Sequence, residues 1–256
     1  MKEYRINENL IEYLLSKGVI ISNKEDALKK IERYTYYSII NTYKSVFKNE
    51  DGNYICNVSF DEIYALFDFD KELKNIILKY CLEIETVIKS IMANQISKAY
   101  GVKDYLSIAN LDPSIDEKIK INLIDKINNE IEKDYNTHSA VKHYIDKYGF
   151  VPPFVLVKIL TFGVASSYCG LLKQSDRKAI AKYFKISDKL LKQILKNLTT
   201  IRNVAAHSER LYIYTSKFYL SFKLIDMTYV KSDNITNLYM VIRCMRKLLT
   251  RFNYRN

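Results

Sequence analysis

Apolar residues recur at helical spacing along nearly the whole chain, and few positions break the pattern. Leu10, Ile11 and Leu14 begin it, Gly18 and Ser22-Asn23 interrupt it, and Ala27, Leu28 and Ile31 resume it, which predicts two helices joined by a short turn. Near residues 50–58, EDGNYICNV holds an Asp-Gly turn beside a stretch that reads either as a small β-ribbon or as a loop. Ser59-Phe60-Asp61-Glu62 then has the form of a capping box, in which serine and glutamate oxygens satisfy the free N–H groups of a starting helix. A long helix is predicted from Phe60 to about Tyr100, carried by Leu66, Phe69, Leu73, Ile76, Ile77, Tyr80, Ile84, Val87, Ile88 and Ile91 and ended by Gly101.

A charged segment with a narrower apolar stripe, about Pro113 to Tyr135, predicts a helix that is peripheral or an insertion beside the bundle. HYIDKYGFVPPF predicts a short helix stopped by Gly149 and Pro152-Pro153, with Pro153 opening the next one through LVKILTFGVASSYCGLL. Ser187-Asp188 can cap a further helix, and Ile235 to Phe252 predicts a last one ending in a basic tail. With no internal repeat or low-complexity linker, the pattern predicts one all-α unit over residues 1–256, a mostly antiparallel bundle with peripheral helices.

Composition adds limits. Only 6 Gly and 3 Pro leave few places to break helices, and 256 residues can bury a substantial core without disulfide or metal staples. The four cysteines, Cys56, Cys81, Cys169 and Cys244, form no C-x-x-C pair and stand at no ligand spacing with histidine, so they predict reduced thiols in packed helices and neither metal nor cofactor. No basic-then-apolar leader opens the chain and no apolar run reaches the roughly 20 residues of a membrane helix, which predicts a cytoplasmic protein without membrane contact. Lys+Arg 40 against Asp+Glu 29 gives a net charge of +11, which suits a polyanion such as RNA, DNA or an anionic membrane, or serves solubility alone.

The chemistry-bearing stretch is TTIRNVAAHSERLY, Thr199 to Tyr212. At about 100° per residue, Leu190, Leu191, Ile194, Leu195, Leu198, Ile201 and Ala205 share one helical sector. Lys189, Lys192, Lys196, Asn203 and His207 fall opposite, as a phosphate-tracking stripe or as a solvated lysine face. Arg202 and His207 diverge by about 140° on a straight helix, so joint action on one phosphate needs a reach round the helix or a second copy of it, as in a symmetric homodimer. An imidazole can take the proton of a 2′-hydroxyl or protonate a leaving 5′-oxygen. Arginine would stabilise charge developing on the phosphate, and Asn203 could orient the imidazole or donate to the phosphate. The plainer alternative pairs Arg202 with Glu83 or Glu85 inside the bundle and leaves His207 at a helix C-terminus.

Other candidates read as structural. Asp68, Asp70 and Glu72 are spread round a helix and predict solvated charges rather than a metal site. His138 and His143 have no nucleophile motif nearby, and Tyr34, Tyr36 and Tyr37 read as core packing before base-stacking platforms.

Four segments, in order, carry a resemblance: LIEYLLSKGVII with ALKKIERYTYYSIINTY, then FDEIYALFDFDKELKNIILKYCLEIETVIKSIMANQISKAYG, then HYIDKYGFVPPFVLVKILTFGVASSYCGLL, then LTTIRNVAAHSERLY. Over roughly residues 8–215 the chain resembles the Abi-like family of abortive-infection proteins, the AbiD/AbiF group within the HEPN class of helical ribonucleases. Family members often carry tryptophan in the proline-led segment, where this chain has Phe154. The resemblance implies a HEPN-like helical fold, a homodimer whose motif helices meet, and metal-independent RNA cleavage leaving a cyclic phosphate or its hydrolysis product. It places Arg202, Asn203 and His207 at the motif positions and implies antiphage or toxin-like activity under restraint, with a structured small noncoding RNA as a plausible partner. Residues 216–256 lie beyond it and read as a C-terminal helical extension. The rival reading is a non-catalytic RNA-binding protein that holds such an RNA on Lys189, Lys192 and Lys196.

Overall fold

The computed structural model describes residues 7–207, 209–220 and 236–249. The chain is all-α, as the periodicity predicts. The two strands among the described residues, Thr215–Ser216 and Thr236–Asn237, form one short antiparallel pair. At 50–58 the ribbon reading fails: the Asp51-Gly52 turn is closed by a single antiparallel bridge between Lys48 and Tyr54.

The chain divides into two compact units, Met1–Ile77 with Val204–Ile213, and Leu78–Asn203 with Tyr214–Asn256. The smaller contains α1 (Asn7–Ser16), α2 (Lys24–Tyr34), a π turn (Tyr37–Asn41), a 3-10 turn (Lys44–Phe47) and the first part of α3 (Phe60–Tyr100). Asn23 caps α2 by accepting from the Asp26 N–H. Its core gathers Ile11, Leu14, Ile31, Ile39, Ile40, Phe60 and Ile63, with Tyr212 packed against it. The capping box forms as read: Ser59 N–H donates to the Glu62 carboxylate at 2.8 Å and Glu62 N–H to Ser59 Oγ at 3.2 Å. The bond from the Ser59 N–H, then one from the Ser59 hydroxyl at 2.9 Å, holds the Glu62 carboxyl below the usual carboxylate range.

The larger unit contains the rest of α3, α4 (Glu117–Asp134), α5 (Ser139–Tyr148), α6 (Pro153–Ile159), α7 (Phe162–Leu171), α8 (Gln174–Tyr183), α9 (Asp188–Ala206) as far as Asn203, and α10 (Leu238–Leu249). The helix expected to run on from Pro153 is broken at Leu160-Thr161, where the Thr161 hydroxyl caps α7 by accepting from Val164 N–H. Gly149 ends α5 in the left-handed conformation, at φ 75°. α8, absent from the sequence prediction, is tied to α3 through Asp176, whose carboxylate accepts from Gln95 and Tyr100. Its neighbour Arg177 pairs with Asp112 at 2.9 Å. The Ser114 hydroxyl and then Arg177 hold the Asp112 carboxyl down at about 2. Of the predicted last helix, Ile235 and Thr250 to Phe252 lie outside the described residues, as does the basic tail.

α3 carries apolar residues on its outer as well as its inner face, so its period is clear but its phase is not. Ile63, Phe67, Ile77, Cys81, Ile84, Ile88 and Met92 are buried, whereas Phe69 and Ile76, read as inward, are exposed. Cys81, Cys169 and Cys244 are buried thiols, each pushed up to about 12 by burial, while Cys56 is exposed rather than packed in a helix.

Candidate functional site

α9 starts where Ser187-Asp188 predicts, with Ser187 Oγ accepting from the Leu190 N–H at 3.1 Å. All seven apolar residues assigned to its inner sector are buried. Lys189, Lys196 and Asn203 are exposed and Lys192 is half-buried, so the polar stripe faces out. The helix ends at Ala206, one residue before His207, whose N–H turns to the Val204 carbonyl at 3.3 Å. His207 therefore stands in a turn with an exposed ring rather than on the helix surface.

Arg202 and Asn203 belong to the larger unit, and His207 belongs to the smaller. Arg202 is half-buried: Nη1 lies 3.5 Å from the Asn203 side-chain oxygen, while Nε is buried without a partner among the described residues. The ion pair expected with Glu83 or Glu85 is not formed among the described residues. Glu85 instead pairs with Lys89 at 2.6 Å, both side chains 12% exposed, and its other oxygen is buried with no partner among the described residues. Both Glu85 and Arg202 act on the buried Cys81 thiol, the first raising and the second lowering its affinity for a proton.

The lysine stripe forms one wall of a groove of about 450 Å³, whose lining includes Arg177, Lys189, Lys192, Lys196, Phe218 and Tyr219. Burial, then the neighbouring Arg177 and Lys196 cations, pulls the Lys192 ammonium below the usual lysine range. The Asp112 and Asp188 carboxylates act in the opposite direction. Phe218 and Tyr219 are 42% and 49% exposed, and Lys196 Nζ lies 5.8 Å from the Phe218 ring centre. A row of cations beside open aromatic faces can track a phosphate backbone and stack its bases. Sequence reading missed both aromatics, which lie beyond the stretch that carries the resemblance; the signal was the Lys217-Phe218-Tyr219 run itself.

A second missed residue is Asp70. Read as a solvated charge, it is 0% exposed, and its carboxylate accepts from Tyr43 OH (2.7 Å), Leu211 N–H (3.0 Å) and Tyr212 N–H (2.7 Å). Lys74 Nζ, 3.0 Å away, supplies the counter-charge. The carboxylate thus fixes the backbone four and five residues after His207. Burial, then the bond to Asp70, drives the Tyr43 hydroxyl pKa far above its usual value. The signal was present: Asp70 and Lys74 fall at inward positions in the alternating three- and four-residue series of Ile63, Phe67, Ile77 and Cys81.

His138 accepts from Val141 N–H as the cap of α5, and the His143 ring packs edge-on to Tyr144, so neither serves the site. Tyr34 is half-buried as packing predicts, but Tyr37 is 71% exposed. Among the described residues no three His, Cys, Asp or Glu side chains cluster as metal ligands would, and no helix is long and apolar enough to cross a membrane. Comparisons with curated proteins and with solved structures find no match. The family model described as Abi-like protein matches residues 29–213, a span that holds α3 and the whole of the Arg202–His207 segment. The chain belongs to the Abi-like protein family, which suggests a part in abortive infection.

Proposed function

We propose that the protein is a metal-independent endoribonuclease of an abortive-infection or toxin–antitoxin system, acting as a homodimer in the cytoplasm and controlled by RNA binding. The observation that carries this reading is His207, open to solvent in the turn just after α9, in a segment with Arg202 and Asn203 that lies inside the span matched by the family model. His207 moves the proton of the attacking 2′-hydroxyl or of the leaving 5′-oxygen, Arg202 stabilises the phosphate, and Asn203 orients one or the other. The test is cleavage of mixed RNA in EDTA by protein freed of nucleic acid, beside His207→Ala. Cleavage by the parent alone supports the enzyme, and tight binding with no cleavage by either overturns it.

The second reading, a non-catalytic holder of a structured small RNA, is favoured by the groove of Lys189, Lys192, Lys196, Phe218 and Tyr219, which is complete without the motif. Under either reading, Lys192→Ala and Lys196→Ala weaken RNA binding with little regard to sequence. Each should also lower the slope of log affinity against log salt by about 0.7 for single strands, measured by titration at several salt concentrations. Unchanged slopes would remove these lysines from the RNA path.

A further inference from the structure

The smaller unit has a cavity of about 450 Å³ beside His207, whose lining includes Tyr34, Tyr37, Thr42, Lys71 and Lys74. That volume lies within the roughly 300–1,000 Å³ of small-molecule sites. Tyr37 opens the π turn Tyr37–Asn41, in which Ile39 and Ile40 are buried on the inner side while Tyr37 is exposed. Its ring has no aromatic, cationic or hydrogen-bonding partner among the described residues. An unpartnered aromatic face at the rim of a cavity beside a candidate catalytic imidazole calls for a planar ligand.

The charges of the cavity narrow the class of that ligand. Lys71 is paired with Asp68 at 2.5 Å and Lys74 with Asp70 at 3.0 Å, so neither is a free cation for a phosphate. The Thr42 hydroxyl donates to the Tyr37 carbonyl at 3.1 Å, which leaves its oxygen lone pairs to accept from an N–H donor. A π face, a hydroxyl acceptor and compensated lysines suit a neutral heteroaromatic ring better than an anion.

We propose that this cavity is a nucleobase subsite, in which one base of single-stranded RNA stacks on Tyr37 and is thereby held beside His207. The proposal rests on the ribonuclease reading for its meaning, but it is tested by binding alone. His207→Ala protein, freed of nucleic acid, is titrated with short single-stranded oligoribonucleotides carrying 2-aminopurine at one position, and affinity and fluorescence quenching are read. Adding Tyr37→Ala is expected to weaken binding about 10-fold and abolish the quenching, while Tyr37→Phe, which keeps the stacking face, stays within about two-fold. Equal affinity and quenching with and without Tyr37→Ala, or no RNA binding by the parent, would overturn the subsite. Cleavage by the wild-type protein together with unchanged quenching in Tyr37→Ala sinks the subsite and leaves the nuclease standing. Tyr37-dependent stacking in a protein that cleaves no RNA keeps the subsite and sinks the nuclease.

Discussion

Asp70→Ala is expected to destabilise the smaller unit by on the order of 3–5 kcal/mol, the cost of removing one partner from a buried charged network. Four donors lose their acceptor together: the Tyr43 hydroxyl, the Lys74 ammonium and the N–H groups of Leu211 and Tyr212. The last two are main-chain groups that cannot turn away without moving the segment after His207, so the effect should reach the site as well as the core. Asp70→Asn keeps the shape but presents one acceptor oxygen instead of two, and should lose on the order of 1–3 kcal/mol. Tyr43→Phe removes a single donor and should lose about 1 kcal/mol. Amide hydrogen exchange at Leu211 and Tyr212 is the discriminating measurement, because it reports on this unit by itself. Fast exchange in Asp70→Asn with the rest of the chain protected is the expected result; unchanged protection there would show that the carboxylate does not hold the segment.

His207→Ala should lower RNA cleavage by roughly 100- to 10,000-fold, the usual contribution of a positioned acid or base, with RNA affinity little changed. The histidine is exposed in the turn after α9, so its removal uncovers no core and the variant should keep the Leu211 and Tyr212 amide protection of the parent. Arg202→Lys keeps the charge but loses the planar donor set, and should also slow cleavage. Arg202 differs from His207 in being half-buried with an unpartnered Nε, so part of any Arg202→Ala effect will be packing. Cleavage by His207→Ala equal to that of the parent would remove this histidine from the chemistry whatever the other variants do.

Much of the architecture is set by short-range chemistry. Ser59 and Glu62 announce the start of α3, Ser187 that of α9, and Gly149 the end of α5, because a cap satisfies its own helix within a few residues of chain. The inner face of α9 was equally legible, since its apolar and charged residues alternate at one clear phase. α3 was not, because Phe69 and Ile76 are as apolar as the residues that face inward.

By itself the sequence determined an all-α protein, the bounds of its longest helix, the sector of α9 that carries Lys189, Lys192, Lys196 and Asn203, and, through four segments in order of which the last holds Arg202 and His207, its family. Only the tertiary structure decided that Asp70 is a buried anchor, that Arg202 lacks its expected carboxylate, that Phe218 and Tyr219 stand beside the lysines, and that Tyr37 opens onto a cavity with His207. The physical reason is range. Caps and helical faces depend on residues a few positions apart, whereas apart from Lys74 the partners of Asp70 lie 27, 141 and 142 residues away, and no local pattern encodes those three.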